Sequence, residues 1–294
     1  MKRLFLPLLL VLAAFGCANA QLLYKVQATD SDKTSYLLGT HHFAPTELLD
    51  SIAGLSEALS SVDKLYGEVD MALMNNPMEM MKFSGKMMAP SDSTLDKILT
   101  PAELDTLNTA WDKLSQGAVP LKMMYAMKPN VISTALMAMI MQQRFPEKDF
   151  KALGIDQLMQ DRAKESGKEV SGLETVEFQM DVLFGDPISE QKDALMEAVR
   201  DGGESQIEQT LRLTDAYMSR DIDTVAEMMT DKEIMTGEQA DKMIYDRNAN
   251  WAAILVPEMR EKSVMVVVGA GHLPTDRGLI NLLRQAGYTV TPID

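Results

Sequence analysis

The sequence predicts an α/β fold: a central mixed, mostly parallel β-sheet with an N-terminal hairpin and large helical insertions. Two alternating runs, LLYKVQATD and TSYLLGT, flank the turn-forming letters DSDK, which is typical of a β-hairpin. Near the end of the chain, SVMVVVGAG is a continuous β-branched run, which predicts a strand buried on both faces, as in a parallel sheet. Short strand-like runs alternate with long helical stretches between them, which is the order of an α/β protein.

The other elements follow from hydrophobic spacing and from turn residues. Helices are predicted at 48–62, over most of 71–143, at 156–167 and over most of 175–259, and short strands at 64–71 and 168–174. The segment TDRGLINLLRQAG predicts a helix capped by Thr275 and Gly287, and YTVTPI predicts the final strand.

Residues 1–20 have the layout of a secretory signal peptide, with Lys2 and Arg3 before an apolar run and small residues after it. Cleavage after Ala20 fits an A-x-A site, and lipidation at Cys17 is the alternative. Both routes predict a periplasmic or extracellular location in a bacterial envelope. We expect residues 21–294 to form a single domain with helical insertions at about 71–160 and 175–260.

Composition narrows the functional classes. Cys17 is the only cysteine, so the mature chain has no disulfide and no thiol nucleophile, and any metal must be held by histidine and carboxylate. The net charge of -15 argues against nucleic acid as a partner. After signal removal, no segment is long and apolar enough to be a transmembrane helix.

All three histidines lie in two copies of a G-x-x-H pattern, one ending at His42 and one at His272. Two other predicted strands end at acids, Glu68 and Glu174. Because ligands bind beyond the carboxyl ends of parallel strands, we expect these four side chains to converge if the strands lie side by side.

Imidazole and carboxylate together suit Mn, Co, Zn or Fe, so His42, Glu68 and His272 are candidate ligands of a divalent metal ion. Glu174 or Glu177 would then be the general base. The plainer interpretation is that each is a satisfied structural or solvated residue, since a lone G-x-x-H pattern is weak. His41 leaves the choice of ligand open, because neighbouring strand residues face opposite ways.

Two further features each have two interpretations. Arg247 and Asn248 could hold a substrate carboxylate or an oxyanion, or Arg247 could form an ion pair with glutamate on a buried helix with Trp251 in the core. The 24 methionines could bind Cu(I) or line a peptide groove, but their irregular spacing favours ordinary helical core.

Four segments resemble the TraB/GumN family, which includes the Tiki proteins. They are YKVQATDSDKTSYLLGTHHFAP, SGLETVEFQMDVL, DRNANWA and VVVGAGHLPTDRGLINLLRQAGYTV, and they occur in the family's order from about Leu22 to the end. His41 departs from the apolar residue of many members, and Thr275 departs from their glycine.

The resemblance implies a Tiki/TraB-like fold and a metal-dependent hydrolase, since Tiki proteins are described as Mn- or Co-dependent metallopeptidases acting on extracellular peptides. It matches His42 and His272 to the motif histidines, and Arg247 and Asn248 to the R-N pair. Glu68, Glu174 and Glu177 match the acidic positions. We therefore expect a peptide or small-molecule substrate. The alternatives are a protein that sequesters such a ligand without turnover and a methionine-rich metal-handling protein. The oligomeric state is left open.

Overall fold

A computed structural model of the chain describes residues 21–146 and 154–293, so the predicted signal peptide and Cys17 lie outside the described residues. A sheet of six strands organises this part of the chain. The strands are β1 (Leu23–Ala28), β2 (Thr34–Thr40), β3 (Lys64–Gly67), β4 (Glu169–Gly172), β5 (Val264–Gly269) and β6 (Tyr288–Pro292).

The strand order is β4-β3-β5-β2-β1-β6. β4, β3, β5 and β2 are mutually parallel neighbours, whereas β1 is antiparallel to both β2 and β6. The predicted mixed, mostly parallel sheet and its N-terminal hairpin are therefore confirmed. Four parallel carboxyl ends lie next to one another at one edge, which we call the carboxyl edge.

Helices fill the connections, as predicted. The α-helices are α1 (Leu55–Ser61), α2 (Pro77–Met87), α3 (Leu95–Ile98), α4 (Pro101–Ser115), α5 (Pro129–Arg144), α6 (Ile155–Glu165), α7 (Val176–Phe184), α8 (Ile188–Asp201), α9 (Glu204–Met218), α10 (Ile222–Thr230), α11 (Gly237–Ala240), α12 (Asp246–Glu261) and α13 (Leu279–Gln285). Shorter 3₁₀ segments occur at Thr46–Ser51, Met71–Asn75, Leu121–Met124 and Ala270–His272, and a π-helical turn occurs at Asp241–Tyr245.

Both faces of the sheet are covered by helices. One face packs its buried apolar side chains against α1 and α6, and the opposite face packs against α12 and α13. The side chains of β5 from Val264 to Val268 are almost fully buried, as a parallel strand between two helical layers requires. α6 and α12 therefore belong to the layers of the sheet, although both fall at least partly within the predicted insertions.

Among the inserted helices, α4, α5 and α8 build a core of their own. Leu107 and Trp111 of α4 pack with Ile132 and Leu136 of α5 and with Leu195 of α8. The Trp111 indole N–H donates to the Val119 carbonyl at 2.7 Å, which satisfies its only polar atom. None of the helices in residues 21–146 and 154–293 has the length and apolarity needed to cross a bilayer.

Two predicted helix boundaries are wrong. The helix predicted at 48–62 is broken into a 3₁₀ segment and α1, because Gly54 has a left-handed φ of 71°. Thr275 does not cap α13, which starts at Leu279 after Gly278. Thr275 itself has a φ of 77°, and its carbonyl accepts from the Gly278 N–H in a turn before the helix. Gly287 follows α13 with a φ of 91°, as a helix-ending glycine does.

Candidate functional site

The carboxyl edge brings the predicted strand-end residues into one region. Thr40 pairs with Gly269 across β2 and β5, and Gly67 pairs with both Val267 and Gly172. The chain pairing continues past β3 and β4, because the Glu174 N–H donates to the Glu68 carbonyl at 3.0 Å. Glu68 and Glu174 are thereby held side by side.

Glycine at the strand ends is needed for close backbone approach. A Cβ on Gly39 would lie 2.9 Å from Leu273 Cδ1 and 3.2 Å from Ala270 Cα. A Cβ on Gly172 would lie 2.9 Å from the Asp70 nitrogen. These two glycines leave room for neighbouring backbone and side chains of the fold itself.

Helix direction adds further side chains to the same edge. A helix that leads into a parallel strand runs antiparallel to it, so its N-terminus lies at the carboxyl edge. α12 leads into β5 and carries Arg247 and Asn248 in its first turn, and α6 leads into β4 and carries Asp156. Residues distant in sequence therefore meet for a topological reason.

Arg247 lies at the centre of this group, and all five of its N–H donors are used. Nε and Nη2 form a bidentate pair with Glu174, at 3.1 and 2.8 Å, and Nη2 also donates to Glu68 Oε2 at 2.6 Å. Nη1 donates to the Met243 carbonyl in the π-helical turn at 2.9 Å and lies 3.2 Å from His272 Nε2. No donor is left over for a substrate anion, so Arg247 holds the cluster together.

Asn248 fixes the tautomer of His272. Its Nδ2 donates to the carbonyls of His272 and Arg277, at 3.2 and 3.0 Å, which directs its Oδ1 to His272 Nδ1 at 2.7 Å. Nδ1 must therefore carry the proton, and the Nε2 lone pair faces Arg247 and Glu68. Asn248 is fully buried and, like Arg247, has no free donor.

Trp251 completes the cluster. Its indole N–H donates to Glu174 Oε2 at 3.1 Å, its ring lies 4.5 Å from the His272 ring, and the Arg247 guanidinium lies over its face. The ion-pair interpretation of Arg247, with Trp251 in the core, therefore describes its contacts. We call Glu68, Glu174, Arg247, Asn248, Trp251 and His272 the buried cluster.

Burial and charge set the protonation of the buried cluster. Complete burial lowers the pKa of His272 to about 4, so its imidazole is neutral at pH 7. Burial would raise the pKa of Glu68, but His272, Arg247 and the Gly269 N–H together hold it below its ordinary value. Burial keeps the pKa of Glu174 above its ordinary value, although Arg247 opposes this. Glu68 has the most exposed of the cluster's charged side chains, at 16%.

The other histidines lie outside the buried cluster. The His42 side chain is 77% exposed, and its Nδ1 lies 3.4 Å from Asp156 Oδ2. Its pKa is raised mainly by Asp156 and further by the charge of Glu68, so His42 and Glu68 are electrostatically coupled. His41 Nε2 lies 2.8 Å from the Thr214 hydroxyl on α9, and its ring packs near Tyr217. The two adjacent histidines thus turn to different helices.

Glu177 lies away from the buried cluster, and Gln179 joins it. The Glu177 side chain is 59% exposed and contacts Lys86 at 3.4 Å, whereas Gln179 Nε2 donates to Glu68 Oε2 at 3.1 Å. The sequence pattern made Glu177 a candidate base and gave no signal for Gln179. α7 begins at Val176 behind the Thr175 cap, with Gln179 on the side that faces Glu68 and Glu177 on the side that faces Lys86.

The predicted metal ligands form only part of a ligand set. Glu68 Oε1 and His272 Nε2 are 3.8 Å apart, with a carboxylate and a neutral imidazole in the protonation states that a metal requires. His42 pairs with Asp156 instead, and the Arg247 guanidinium already provides a positive charge beside both groups. Among the described residues, no three His, Cys, Asp or Glu side chains are grouped to hold a metal ion. The arrangement as it stands does not fit the predicted three-ligand site.

An apolar cleft of about 570 Å³ adjoins His42. His42 and Phe43 line it together with α4, α5 and α8, which contribute Leu114, Met137 and Val199 among others. A second cavity of about 680 Å³ follows α9 and α10. Neither cavity is lined by the buried cluster, but the first is lined by His42, which follows β2 at the carboxyl edge, and it is the one considered below.

Comparison with protein families finds one match. The model of the TraB/PrgY/gumN family matches residues 22–292, nearly the whole chain. No curated protein and no solved structure matches the chain.

Proposed function

The chain belongs to the TraB/PrgY/gumN family, and from the geometry of the carboxyl edge we propose that it is a secreted hydrolase of peptide or amide bonds. The reacting groups that we assign are His42 and Glu68. Secretion rests on the signal-like residues 1–20, and the choice of peptide bonds rests on the family resemblance and on the cleft.

One observation carries the proposal: the buried cluster is a charged network at the edge where parallel sheets bind ligands. Glu68, Glu174 and Arg247 come from three distant segments, and Arg247 and Glu174 are no more than 6% exposed in their side chains. Burying charges costs several kcal/mol per ion, and apolar residues often stabilise a core equally well. Such a network at a ligand-binding edge is therefore a functional-site candidate.

The proposed roles follow from exposure. His42 is the solvent-facing imidazole: it takes the proton of the attacking water at Nε2 and gives it to the leaving amine nitrogen as the C–N bond breaks. The Glu68 carboxylate stabilises the positive charge that then develops on His42. Arg247, Gln179 and the Gly269 N–H hold Glu68 in place by donating to its carboxylate, and Asn248 holds His272. Of the predicted catalytic residues, we thus assign Arg247, Asn248 and Glu174 to positioning.

The cleft beside His42 supports an apolar peptide as the substrate. Its lining is mostly aliphatic, and its volume falls within the range of small-ligand sites, ~300–1,000 Å³. Gln206 also lines it, and the Gln206 Oε1 is buried without a hydrogen-bond donor within the part of the chain that the structure describes. A backbone N–H of a bound peptide would supply that donor.

The metal dependence implied by the family stays a prediction, and no step above is assigned to a metal. Elemental analysis of the mature domain from Gln21 tests it, beside a His42→Ala/His272→Ala double variant. Near-stoichiometric Mn, Co, Zn or Fe that is lost in a folded double variant would support the metal. No bound metal after loading with each ion would mean that the protein's own side chains carry out the hydrolysis.

A peptide-library assay on the mature domain tests the proposed function. We expect His42→Gln to reduce kcat by about 10²–10⁴-fold, the usual contribution of a general acid or base, and Glu68→Gln to reduce kcat because the charge on His42 is then no longer stabilised. Glu57→Gln, an exposed site on α1, is the matched control and should retain the wild-type rate. A wild-type protein that binds peptides without cleaving any of them would be a sequestering protein, and the proposal would be wrong.

A further inference from the structure

We propose that Asp156 is the positioning residue of His42: its carboxylate holds Nδ1–H and turns the Nε2 lone pair towards the reacting water. This inference deepens the proposed function and rests on it. Neither the sequence motifs nor the family match assigns a role to Asp156.

The position of Asp156 follows from the topology. It lies in the first turn of α6, where the helix dipole stabilises a carboxylate, and α6 starts at the carboxyl edge because it leads into β4. Its side chain is only 17% exposed, so the aspartate is held among protein groups rather than in bulk water.

The two oxygens of Asp156 differ in their contacts. Thr40, the buried last residue of β2, donates its hydroxyl to Oδ1 at 2.8 Å, which fixes the carboxylate plane. Oδ2 is buried and accepts no hydrogen bond from residues 21–146 or 154–293, and His42 Nδ1 lies 3.4 Å from it. A buried carboxylate oxygen without a donor costs free energy, and a small rotation of the exposed imidazole would satisfy it.

This arrangement fixes which nitrogen of His42 can act. With Nδ1–H facing Asp156 Oδ2, the lone pair is on Nε2 and faces away from α6. The same side chain lines the apolar cleft and is coupled to Glu68. Asp156 therefore orients the one imidazole that a substrate in the cleft would meet, as carboxylates commonly orient functional histidines.

Nitrogen-15 NMR of the histidine rings tests the proposal without an activity assay. The chain has three histidines, so single His→Gln variants assign every signal. In the wild type, above the pKa of His42, we expect a protonated Nδ1 and an unprotonated Nε2. In Asp156→Asn the Thr40 hydroxyl, which accepts as well as donates, can take the amide N–H2, so the amide oxygen faces His42 and should keep this tautomer. Asp156→Ala removes the acceptor and should shift His42 towards the Nε2–H form.

Kinetics of the full mature chain supply the second readout. Asp156→Ala should lower kcat about 10–100-fold with little change in KM. Asp156→Asn should keep part of the kcat that Asp156→Ala loses. Asp161→Ala on the same helix is the control and should keep the wild-type kcat. Among the residues that the structure describes, the Asp161 carboxylate accepts hydrogen bonds from Gln157 alone.

A wild-type His42 in the Nε2–H form would overturn the proposal, and this outcome needs no folded variant. An unchanged His42 tautomer and an unchanged kcat in a folded Asp156→Ala variant would also overturn it. If no peptide is hydrolysed by the wild type, the proposed function fails, and the NMR result still decides the role of Asp156.

Discussion

His272 and His42 end the same G-x-x-H pattern on neighbouring parallel strands, yet the fold gives them opposite environments. His272 is buried, and both of its ring nitrogens contact protein groups. His42 is largely exposed, with one ring nitrogen near a carboxylate. A shared motif at a shared edge therefore does not imply a shared role.

These two environments divide the carboxyl edge into a rigid part and an accessible part. The buried cluster places every donor of Arg247 and Asn248 inside the protein, so its chemistry is fixed before any ligand arrives. His42 keeps one nitrogen towards solvent. Glu68 connects the two parts, because it contacts Arg247 directly and its charge acts on both imidazoles.

The largest effect should come from removing the central cation. Arg247→Met would leave two buried carboxylates unpaired, and we expect a loss of about 3–5 kcal/mol in the free energy of unfolding. Urea unfolding at pH 7 measures it. Arg260→Met on the same helix α12 removes a partly exposed arginine and should cost no more than about 1 kcal/mol. Equal losses in the two variants would contradict the account.

The next effect is a pH dependence that comes from His272. Its folded pKa of about 4 is below the unfolded value of 6.5, so between these values the unfolded chain binds more protons. Stability should therefore fall as the pH falls from 6.5 to 4, by about 3 kcal/mol for this group. Urea unfolding across this window measures the fall.

His272→Gln serves as the comparison for that pH series. The variant lacks the titrating imidazole, so the difference in unfolding free energy between wild type and variant should narrow as the pH falls through the window. A difference that stays constant from pH 7 to pH 4 would show that His272 is already protonated or exposed in the folded protein.

A smaller loss of stability is expected when one indole hydrogen bond is removed, and it should be larger for a charged acceptor than for a neutral one. Trp251→Phe removes an N–H donated to the Glu174 carboxylate, and Trp111→Phe removes one donated to a backbone carbonyl. We expect a loss of about 1.5–3 kcal/mol at Trp251 and about 0.5–1.5 kcal/mol at Trp111. Thermal or urea unfolding compares them. The reverse order would mean that Glu174 does not depend on the indole.

The smallest effect on stability should come from the exposed histidine. His42→Gln should change the free energy of unfolding by no more than about 0.5 kcal/mol, because the side chain is mostly in solvent. The same variant should lose hydrolysis. A large loss of stability would instead place His42 among the structural residues, beside His272.

Much of this edge could be predicted from the chain alone. Glycine and an acid or histidine near the end of each of these strands predicted that Glu68, Glu174 and His272 would meet, and they do. The signal for Asp156 was also present, since a helix before a parallel strand starts at the carboxyl edge. Strand ends alone do not predict it, because Asp156 lies at the start of α6 and not at the end of a strand.

Other details depend on packing that spacing does not reveal. Gln179 rather than Glu177 contacts Glu68, and this depends on how α7 packs against the carboxyl edge. The contact between Arg247 and both glutamates joins residues more than 70 positions apart, and only the register of the sheet brings them together. The left-handed turn at Thr275 likewise depends on the chain between β5 and α13.

Proton NMR titration of the three histidine rings in the mature domain tests the central claim most directly. The account predicts that His42 titrates above the ordinary value of 6.5 and that His272 titrates near pH 4. Glu68→Gln should lower both pKa values, because the charge of Glu68 raises each of them. Two histidines that titrate together near 6.5, unaffected by Glu68→Gln, would contradict a rigid and an accessible part joined by Glu68.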